Sequence, residues 1–213
     1  QRSLRCIIFI ISRKDNYHLT GGIVMKCAIF MADGFETCEG LITVDLLRRA
    51  GLTIDMISMN ETLTVTTSHQ VKIQADKLFS EFQNEYDVMI LPGGKLGTQN
   101  LENNQKLVDL YEAHFKAGKL SCAICAAPSI LGHRGLLKDR KYTCYPTFDE
   151  PSFNGEYQQV LAVKDGNLIT GRGMGATIDF ALKIIETLCD KQTLENVKNG
   201  IQYEHSFLQH KKE

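Results

Sequence analysis

The chain has 213 residues, of which 43% are hydrophobic and 23% are charged, and its formal net charge is −1. A chain of this length can bury a large core, so a single domain without disulfide staples is expected. No polybasic block suggests a nucleic-acid partner, and no apolar run approaches the roughly 18 residues of a membrane span.

Seven cysteines are scattered along the chain rather than spaced as a framework. In a chain with an ample core this usage indicates reduced thiols, so we expect a cytoplasmic protein. Residues 1–24 precede Met25 and the first clear strand pattern, and we interpret them as an upstream extension or an added leader. A single domain is then expected over residues 25–213.

The first half of the chain alternates between short apolar runs and helical periodicity. The helix pattern ends with two arginines in its last turn and Gly51 at the C-cap position, as helix ends prefer. The predicted elements are a strand at 27–31, a helix at 37–50, a strand at 52–59 and a hairpin arm from 63–67 and 70–75.

The second half continues the alternation. The predicted strands are 86–91, 120–124, 141–144, 159–163 and 167–170, and the predicted helices are 103–116, a short one from 126, 176–189 and 193–200. Strands that alternate with helices predict an α/β fold with a mostly parallel sheet covered on both faces. Ligands bind such sheets beyond the carboxyl ends of the strands.

Cys125 is the strongest catalytic candidate. It follows a predicted strand within Ser121-Cys-Ala-Ile-Cys-Ala-Ala-Pro128, and its small neighbours suit a nucleophile on a tight strand-to-helix turn. Free N–H groups at the start of the next helix favour the thiolate, and Pro128 suits the first helical turn. The alternative is a buried structural cysteine, which is the commonest role of a free cysteine.

Cofactor and metal motifs are weak. Cys122 and Cys125 form a C-x-x-C pair, but Cys122 falls inside the strand, whereas a thioredoxin-like dithiol opens a helix. No second cysteine pair or histidine pair stands at ligand spacing, so no metal is expected. Gly171-Arg-Gly-Met-Gly175 departs from G-x-G-x-x-G, so no dinucleotide or other cofactor is expected.

Two other features flank the predicted carboxyl edge of the sheet. Pro92-Gly93-Gly94 directly follows a strand, and backbone N–H groups in such a loop can form an oxyanion hole, although a simple turn is the alternative. Glu39 lies one turn into the first helix, where an acid commonly serves only to complement the helix dipole. Parallel strands would bring both features to the same edge as Cys125.

Together these motifs resemble the DJ-1/PfpI (ThiJ/PfpI) superfamily, closest to its DJ-1/YajL-like branch. The resemblance extends over about residues 26–200. Each motif is weak alone, but four motifs in the right order are specific together. They are Ala-Ile-Cys125-Ala-Ala-Pro, Leu91-Pro-Gly-Gly94 followed by Leu96-Gly97, Glu39 ahead of Val44-Asp-Leu-Leu-Arg-Arg-Ala-Gly51, and Thr170-Gly-Arg-Gly-Met-Gly175.

The resemblance implies a flavodoxin-like three-layer sandwich that is usually a homodimer. It implies that Cys125 is the nucleophile and that a protonated Glu39 hydrogen-bonds to it. The N–H groups of Gly94 and Ala126 would form the oxyanion hole. The residues expected to line the site or the dimer contact near it are Gly93, Arg48, Arg172 and Tyr145.

The chain departs from the family pattern at one position. The DJ-1-like branch carries a histidine where this chain has Tyr145, and the protease-like branch carries one directly after the cysteine, where this chain has Ala126. His133 lies eight residues past Cys125, more than two helical turns on, so we expect it to be solvated. A Cys–His dyad is therefore disfavoured, and peptidase activity with it, so Glu39 would supply general acid/base catalysis alone.

The function implied by the resemblance is a glutathione-independent glyoxalase or deglycase that acts on a small α-oxoaldehyde such as methylglyoxal. The alternative is a redox sensor or stress-response chaperone in which the same cysteine oxidises to sulfenic and sulfinic acid. An amidase-like or protease-like hydrolase is a less favoured option. The expected partner is a small carbonyl compound, with no membrane and no nucleic acid.

Overall fold

The computed structural model describes residues 25–203. Residues 1–24, which we interpreted as an extension or leader, lie outside the described residues, as does the end of the predicted domain from residue 204 onward. The chain forms a mostly parallel central sheet with helices on both faces, as predicted.

The elements follow in chain order. The strands are β1 Lys26–Met31, β2 Thr53–Ser58, β3 Thr64–Thr66, β4 Lys72–Gln74, β5 Lys77–Leu78, β6 Val88–Leu91, β7 Leu120–Ile124, β8 Lys141–Tyr142, β9 Glu156–Tyr157, β10 Ala162–Asp165 and β11 Leu168–Gly171. The helices are α1 Thr37–Arg49, α2 Lys95–Glu102, α3 Gln105–Lys116, α4 Pro128–His133, α5 Thr177–Leu188 and α6 Lys191–Gly200.

The central sheet has the strand order β10-β11-β7-β6-β1-β2-β5. Its strands are parallel except β10, which runs antiparallel to β11 at one edge. On one side of β1 lie β2 and then β5, and on its other side lies β6, which follows β5 in the sequence. The strand order therefore reverses between β1 and β6, and a crevice at such a switch point is where open α/β sheets bind ligands.

The core lies in two layers, one on each face of the sheet, because successive strand residues point to opposite sides. Cys27, Ile29 and Met31 of β1 pack with residues of α1, α5 and α6. Ala28 and Phe30 of the same strand pack with residues of α2, α3 and α4. Because β1 is buried on both faces, neither face needs polar side chains, and this accounts for its uninterrupted run of apolar residues.

Some elements differ from the sequence prediction. The helix expected at 103–116 begins at Gln105, because the Asn104 side chain accepts a hydrogen bond from the Leu107 N–H at 3.0 Å and so caps the helix. Helix α2 was not predicted. The strand expected at 141–144 is only Lys141–Tyr142, which pairs with β9 in a separate two-stranded sheet.

The hairpin arm is confirmed as an antiparallel pair of β3 and β4. The arm returns to the sheet beside α1: the Gly34 N–H donates to Thr66 O at 2.8 Å, and the Ser68 N–H donates to Phe35 O at 2.8 Å. It therefore fixes the loop that leads from β1 into α1. Within residues 25–203, no helix is long and apolar enough to cross a bilayer.

Candidate active site

Cys125 occupies a sharp turn between β7 and α4. Its φ angle is +64°, a left-handed conformation that a residue with a Cβ adopts only at a cost of about 1–2 kcal/mol. The turn is held from two sides, since the Cys125 N–H donates to Gly171 O at 3.0 Å and its carbonyl accepts from the Tyr145 N–H at 2.8 Å. Pro128 begins the helix that follows, as predicted.

Gly93 lies between the thiol and the carboxyl of the site. A Cβ atom at this glycine would stand 2.5 Å from Cys125 Cβ, 2.6 Å from Glu39 Oε2 and 2.9 Å from Ile124 O. Real Cβ atoms do not approach other heavy atoms this closely. Only glycine lets the loop after β6 pass between the two functional side chains.

Two backbone N–H groups lie close enough to the Cys125 side chain to lower the pKa of its thiol. They belong to Gly94, which precedes α2, and to Ala126, which directly follows the cysteine. The structure thus brings together at one sulfur the two donors that the sequence motifs indicated. Paired N–H donors of this kind can stabilise negative charge on sulfur or on an oxygen bound to the same carbon.

Glu39 is fully buried, with 0% of its surface exposed. Its Oε2 accepts a hydrogen bond from the Gly93 N–H at 2.8 Å, and the carboxyl lies within hydrogen-bonding reach of the Cys125 thiol. Among the described residues, Oε1 has no aligned hydrogen-bond partner. One carboxyl oxygen is therefore fixed by the backbone, and the other is left available to exchange a proton.

The protonation of the pair follows from burial. Burial raises the pKa of Glu39 to about 7, and the Glu36 carboxylate adds to the rise, while hydrogen bonds from Cys125 and Gly93 oppose it. Burial and then the charge of Glu39 also raise the pKa of the Cys125 thiol, against the lowering effect of the Gly94 and Ala126 N–H groups. Because the charge of Glu39 raises the thiol pKa, the thiolate forms more readily while Glu39 is protonated.

The sequence predicted that N–H groups at the start of the next helix would favour the thiolate, and the Gly94 and Ala126 N–H groups do lower the thiol pKa. In the structure the helix after Cys125 has only six residues, and the buried surroundings and Glu39 outweigh the N–H groups in setting the thiol pKa. Burial is the largest cause of the raised thiol pKa, and the charge of Glu39 is the second.

A stability prediction follows from the raised pKa of Glu39. A folded-state pKa near 7, against 4.5 for an ordinary glutamate, favours the folded protein at low pH. This contribution is complete below about pH 4.5 and is lost as the pH rises through 7. The loss is about 3 kcal/mol at most. We expect Glu39→Gln to remove this part of the pH dependence, measured as the urea unfolding free energy at pH 5 and pH 8.

Gln keeps an oxygen that can accept from the Gly93 N–H, so the variant changes charge more than shape. Glu61→Gln, at an exposed glutamate, is the matched control and should keep the wild-type pH dependence. If the unfolding free energy changes equally between pH 5 and pH 8 in wild type and in Glu39→Gln, Glu39 is ionised across this pH range.

Tyr145 and Arg172 lie beside the turn. The Tyr145 backbone bonds to Cys125, while its ring is 50% exposed and meets Phe148 edge-on with centroids 6.2 Å apart. Arg172 directly follows the Gly171 carbonyl that binds the Cys125 N–H. Both residues line a cleft whose walls begin next to residues that bond to the Cys125 backbone.

Arg48 does not reach this site. It lies in the last turn of α1, where its guanidinium bonds to Ile54 O at 3.1 Å and to Asp76 at 2.7 Å. Glu39 is in the first turn, and the nine helical steps from Glu39 to Arg48 span about 13 Å along the helix axis. The expectation that Arg48 lines the pocket around the nucleophile was wrong, and its role in a dimer contact stays a prediction.

The described histidines all bond to groups other than Cys125. His133 bridges Glu102 at 2.5 Å and Glu150 at 3.1 Å on the surface, so it does not serve the cysteine, as predicted. His114 is buried against Leu120 O at 3.0 Å. His69 bonds to the adjacent Ser68 and is exposed. Within residues 25–203, the cysteine therefore has no histidine partner.

Three of the other described cysteines differ from Cys125 in exposure. Cys27, Cys122 and Cys144 are fully buried, and burial raises the thiol pKa of each. Cys122 lies inside β7, as the sequence pattern predicted, so it cannot open a helix as a dithiol motif requires. Cys125 is half-buried, as are Cys38 and Cys189, and the side chain that faces Cys125 is the fully buried Glu39.

Glu36 is a residue that the sequence motifs did not single out. Its N–H donates to Gly93 O at 3.0 Å, and its carboxylate accepts from Ser68 Oγ at 3.0 Å. It thereby ties the hairpin arm and the glycine loop to the start of α1. Its position at the N-cap of α1, directly after β1 and its turn and three residues before Glu39, is the signal that could have identified it.

This combination defines a class of protein: a flavodoxin-like α/β sandwich with a cysteine on a strained turn at the carboxyl edge of its sheet. The profile of the DJ-1/PfpI family matches residues 25–187. The chain belongs to the DJ-1/PfpI family, within its DJ-1-like branch.

Individual relatives agree with this assignment. Protein dj-1beta of Drosophila melanogaster is 36% identical over 177 residues, which cover 81% of this chain and 94% of that protein. Glutathione-independent glyoxalase DJR-1.2 of Caenorhabditis elegans is 32% identical over 157 residues, covering 72% and 82%. The crystal structure of Drosophila melanogaster DJ-1beta aligns with a TM-score of 0.79 at 34% identity, over 84% of this chain and 98% of that one.

Proposed function

We propose that the protein is a glutathione-independent glyoxalase that converts a small α-oxoaldehyde, such as methylglyoxal, into its 2-hydroxy acid. The observation that carries the proposal is the Cys125–Glu39 pair, in which a buried acid with a pKa of about 7 faces the thiol. A related nematode protein bears the name of this activity. The reaction needs no external oxidant, because one carbonyl carbon is oxidised as its neighbour is reduced.

The first step forms a carbon–sulfur bond. The Cys125 thiolate attacks the aldehyde carbon, and the protonated Glu39 carboxyl transfers its proton to the oxygen that becomes a hydroxyl. The N–H groups of Gly94 and Ala126 stabilise the negative charge on that oxygen before the proton arrives. The product of this step is a hemithioacetal, and Glu39 is left ionised.

The second step moves hydrogen between the two carbons. Glu39 removes the proton from the former aldehyde carbon and returns it to the adjacent carbon, while the hydroxyl proton passes to the ketone oxygen. A thioester of the 2-hydroxy acid on Cys125 results. Water, deprotonated by Glu39, then attacks the thioester, expels the thiolate and releases the acid, which loses its proton to solvent.

The test is lactate formation from methylglyoxal without glutathione, with the Cys125→Ser protein as the control. The proposal expects lactate at a rate well above that of the control. Equal rates in the two proteins would reject it, since the nucleophile would then contribute nothing. Cys38→Ser, at another half-buried cysteine, should retain the wild-type rate.

A second candidate is the redox sensor, favoured by the exposure pattern of the cysteines. Cys125 is half-buried whereas Cys27, Cys122 and Cys144 are inaccessible, so a mild oxidant would reach Cys125 before those three thiols. Its raised pKa counts against fast oxidation while Glu39 is ionised. Peptide mapping after dilute peroxide tests this candidate, since equal oxidation of Cys38 and Cys125 would remove the basis for a dedicated sensor.

Tyr145 stands where the family histidine would be, and we expect Tyr145→His to raise glyoxalase turnover about 10-fold. A histidine can exchange protons near neutral pH, and a well-placed general base contributes 10²–10⁴-fold. The measurement is kcat for methylglyoxal in wild type, Tyr145→His and Tyr145→Phe. If Tyr145→His leaves kcat unchanged while Tyr145→Phe abolishes it, the phenol itself is catalytic and the missing histidine does not limit turnover.

Assembly and location are part of the proposal as well. We propose a homodimer in the cytoplasm, on the basis of the family and of the reduced cysteines. A single symmetric species of about twice the chain mass in solution is the expected result.

A further inference from the structure

A cleft of about 470 Å³ opens beside the turn that carries Cys125. Three large apolar side chains line it, and all are about half exposed: Tyr145 at 50%, Leu161 at 52% and Met174 at 54%. Arg172 lies among them, and its guanidinium has no hydrogen bond or ion pair within residues 25–203. Apolar groups gathered in a concave surface of this size are typical of a small-molecule site.

The cleft is joined to the nucleophile through the backbone. One wall begins at Tyr145, whose N–H donates to Cys125 O at 2.8 Å. The other follows Gly171, whose carbonyl accepts from the Cys125 N–H at 3.0 Å, and it is fixed by the bond from the Arg172 N–H to Leu161 O at 2.9 Å. Both walls of the cleft therefore begin next to residues that bond to the backbone of Cys125.

We propose that this cleft is the subsite for the substituent R of an α-oxoaldehyde R–CO–CHO, and that it selects branched alkyl groups over methyl. The inference rests on the proposed function and adds a substrate class to it. A methyl group would leave most of the cleft filled with water. Each methylene group buried against an apolar wall increases specificity by about 10-fold or more, so Met174 and Leu161 are specificity-determining residues.

Gly175 provides a way to fill the cleft without distorting the fold. It lines the cleft, and a Cβ atom built on it meets no other atom within 4 Å. Gly175→Leu therefore places an apolar side chain in the space assigned to R. Gly200→Leu is the matched control, because Gly200 has the same free space but lies at the end of α6.

The test measures Cys125 alkylation and so does not depend on turnover. Chloroacetone and 1-chloro-4-methylpentan-2-one differ only in R, being methyl and isobutyl. In both, the sulfur forms a bond to the carbon that loses chloride, and the thiol proton passes to the buffer. The second-order rate constants at Cys125 are measured by intact mass and peptide mapping, and each is divided by the rate constant with free glutathione.

The expected isobutyl-to-methyl ratio is about 10 or more in wild type and in Gly200→Leu, and near 1 in Gly175→Leu. Met174→Ala, at an exposed side chain whose loss does not endanger folding, should also lower the ratio. A ratio near 1 in wild type, or one that neither Gly175→Leu nor Met174→Ala changes, would overturn the proposal. Faster alkylation by a chloroketone whose R group ends in a carboxylate would also overturn it, because the charge of Arg172 would then determine which R group is preferred.

Two additional measurements are needed. The first shows whether the cleft binds a substrate or a second copy of the chain, and the second tests the glyoxalase activity independently of the cleft. If Gly175→Leu changes the oligomeric state on size exclusion and leaves the ratio unchanged, a second copy of the chain covers the cleft and the subsite is rejected. Turnover of methylglyoxal and 4-methyl-2-oxopentanal tests the proposed function separately. If neither is converted, the glyoxalase proposal fails, while the alkylation ratio still decides what the cleft selects.

Discussion

Replacing Glu39 with Gln is expected to lower kcat/KM for methylglyoxal by 10²–10⁴-fold, the range that general acid/base catalysis contributes. The buried carboxyl is the group that both donates a proton to the attacked oxygen and moves hydrogen between the carbons. Its pKa of about 7 allows it to do both near neutral pH. Gln keeps the bond to the Gly93 N–H but can neither give nor take a proton.

Circular dichroism and the thermal midpoint should show that Glu39→Gln is folded, and at pH 8 it should be more stable than wild type. Glu61→Gln is the matched control and should retain wild-type kcat/KM. A loss smaller than 10-fold in Glu39→Gln would contradict the assigned role. The proton would then be moved by solvent or by a group outside residues 25–203.

Gly93→Ala is expected to lower kcat/KM by about 10²-fold or more. The new methyl group would stand 2.5 Å from Cys125 Cβ and 2.6 Å from Glu39 Oε2, so one of the two side chains has to move. A displacement of about 1 Å within a reacting pair is enough for a loss of this size. The adjacent Ile124 carbonyl, at 2.9 Å, leaves no other direction in which the methyl group could be accommodated.

The control for this variant is Gly200→Ala, at a glycine with free space around its Cβ position. Gly93→Ala should also cost about 1–3 kcal/mol of stability through overpacking, which urea unfolding measures independently of activity. A Gly93→Ala protein with wild-type activity would show that the cysteine and the acid need not be in contact.

Much of the fold could be predicted from local patterns. The apolar runs at β1, β6 and β7 are continuous because these strands are buried on both faces. Continuous apolar runs can be recognised in the sequence alone, so these strands were predicted. The turn at Cys125 could be predicted because small residues and Pro128 surround the cysteine in the sequence. Parallel α/β sheets bind ligands beyond the carboxyl ends of their strands, and this rule predicted that Cys125 and the glycine loop lie at the same edge before any contact was known.

Other features depend on contacts that no local pattern records. Helix α2 begins directly after the glycine loop without a capping side chain, so it lacks the usual start signal. The bond from the Gly93 N–H to Glu39 joins residues that are 54 positions apart. The pKa of the thiol depends on burial and on a charge from another helix, and the residues next to Cys125 in the sequence record neither.

Site-lining positions were predictable only in part. Tyr145 and Arg172 are placed next to the cysteine by backbone bonds, and the family motifs indicated both. Arg48 was assigned to the same region from the motif around it, but helix length places it at the far end of α1. Met174 and Leu161 come together only through the sheet edge and its loop, and neither carries a motif of its own.

The central claim is that the substrate carbon binds covalently to Cys125 and that Glu39 then moves its hydrogen. The most direct test mixes the protein with methylglyoxal, quenches with acid during the first turnover, and maps the peptides by mass. The account predicts one methylglyoxal equivalent on the Cys125 peptide, which is transient in wild type and persists in Glu39→Gln. Lactate formation with no adduct on Cys125 at any time, or at the wild-type rate in Cys125→Ser, would contradict it.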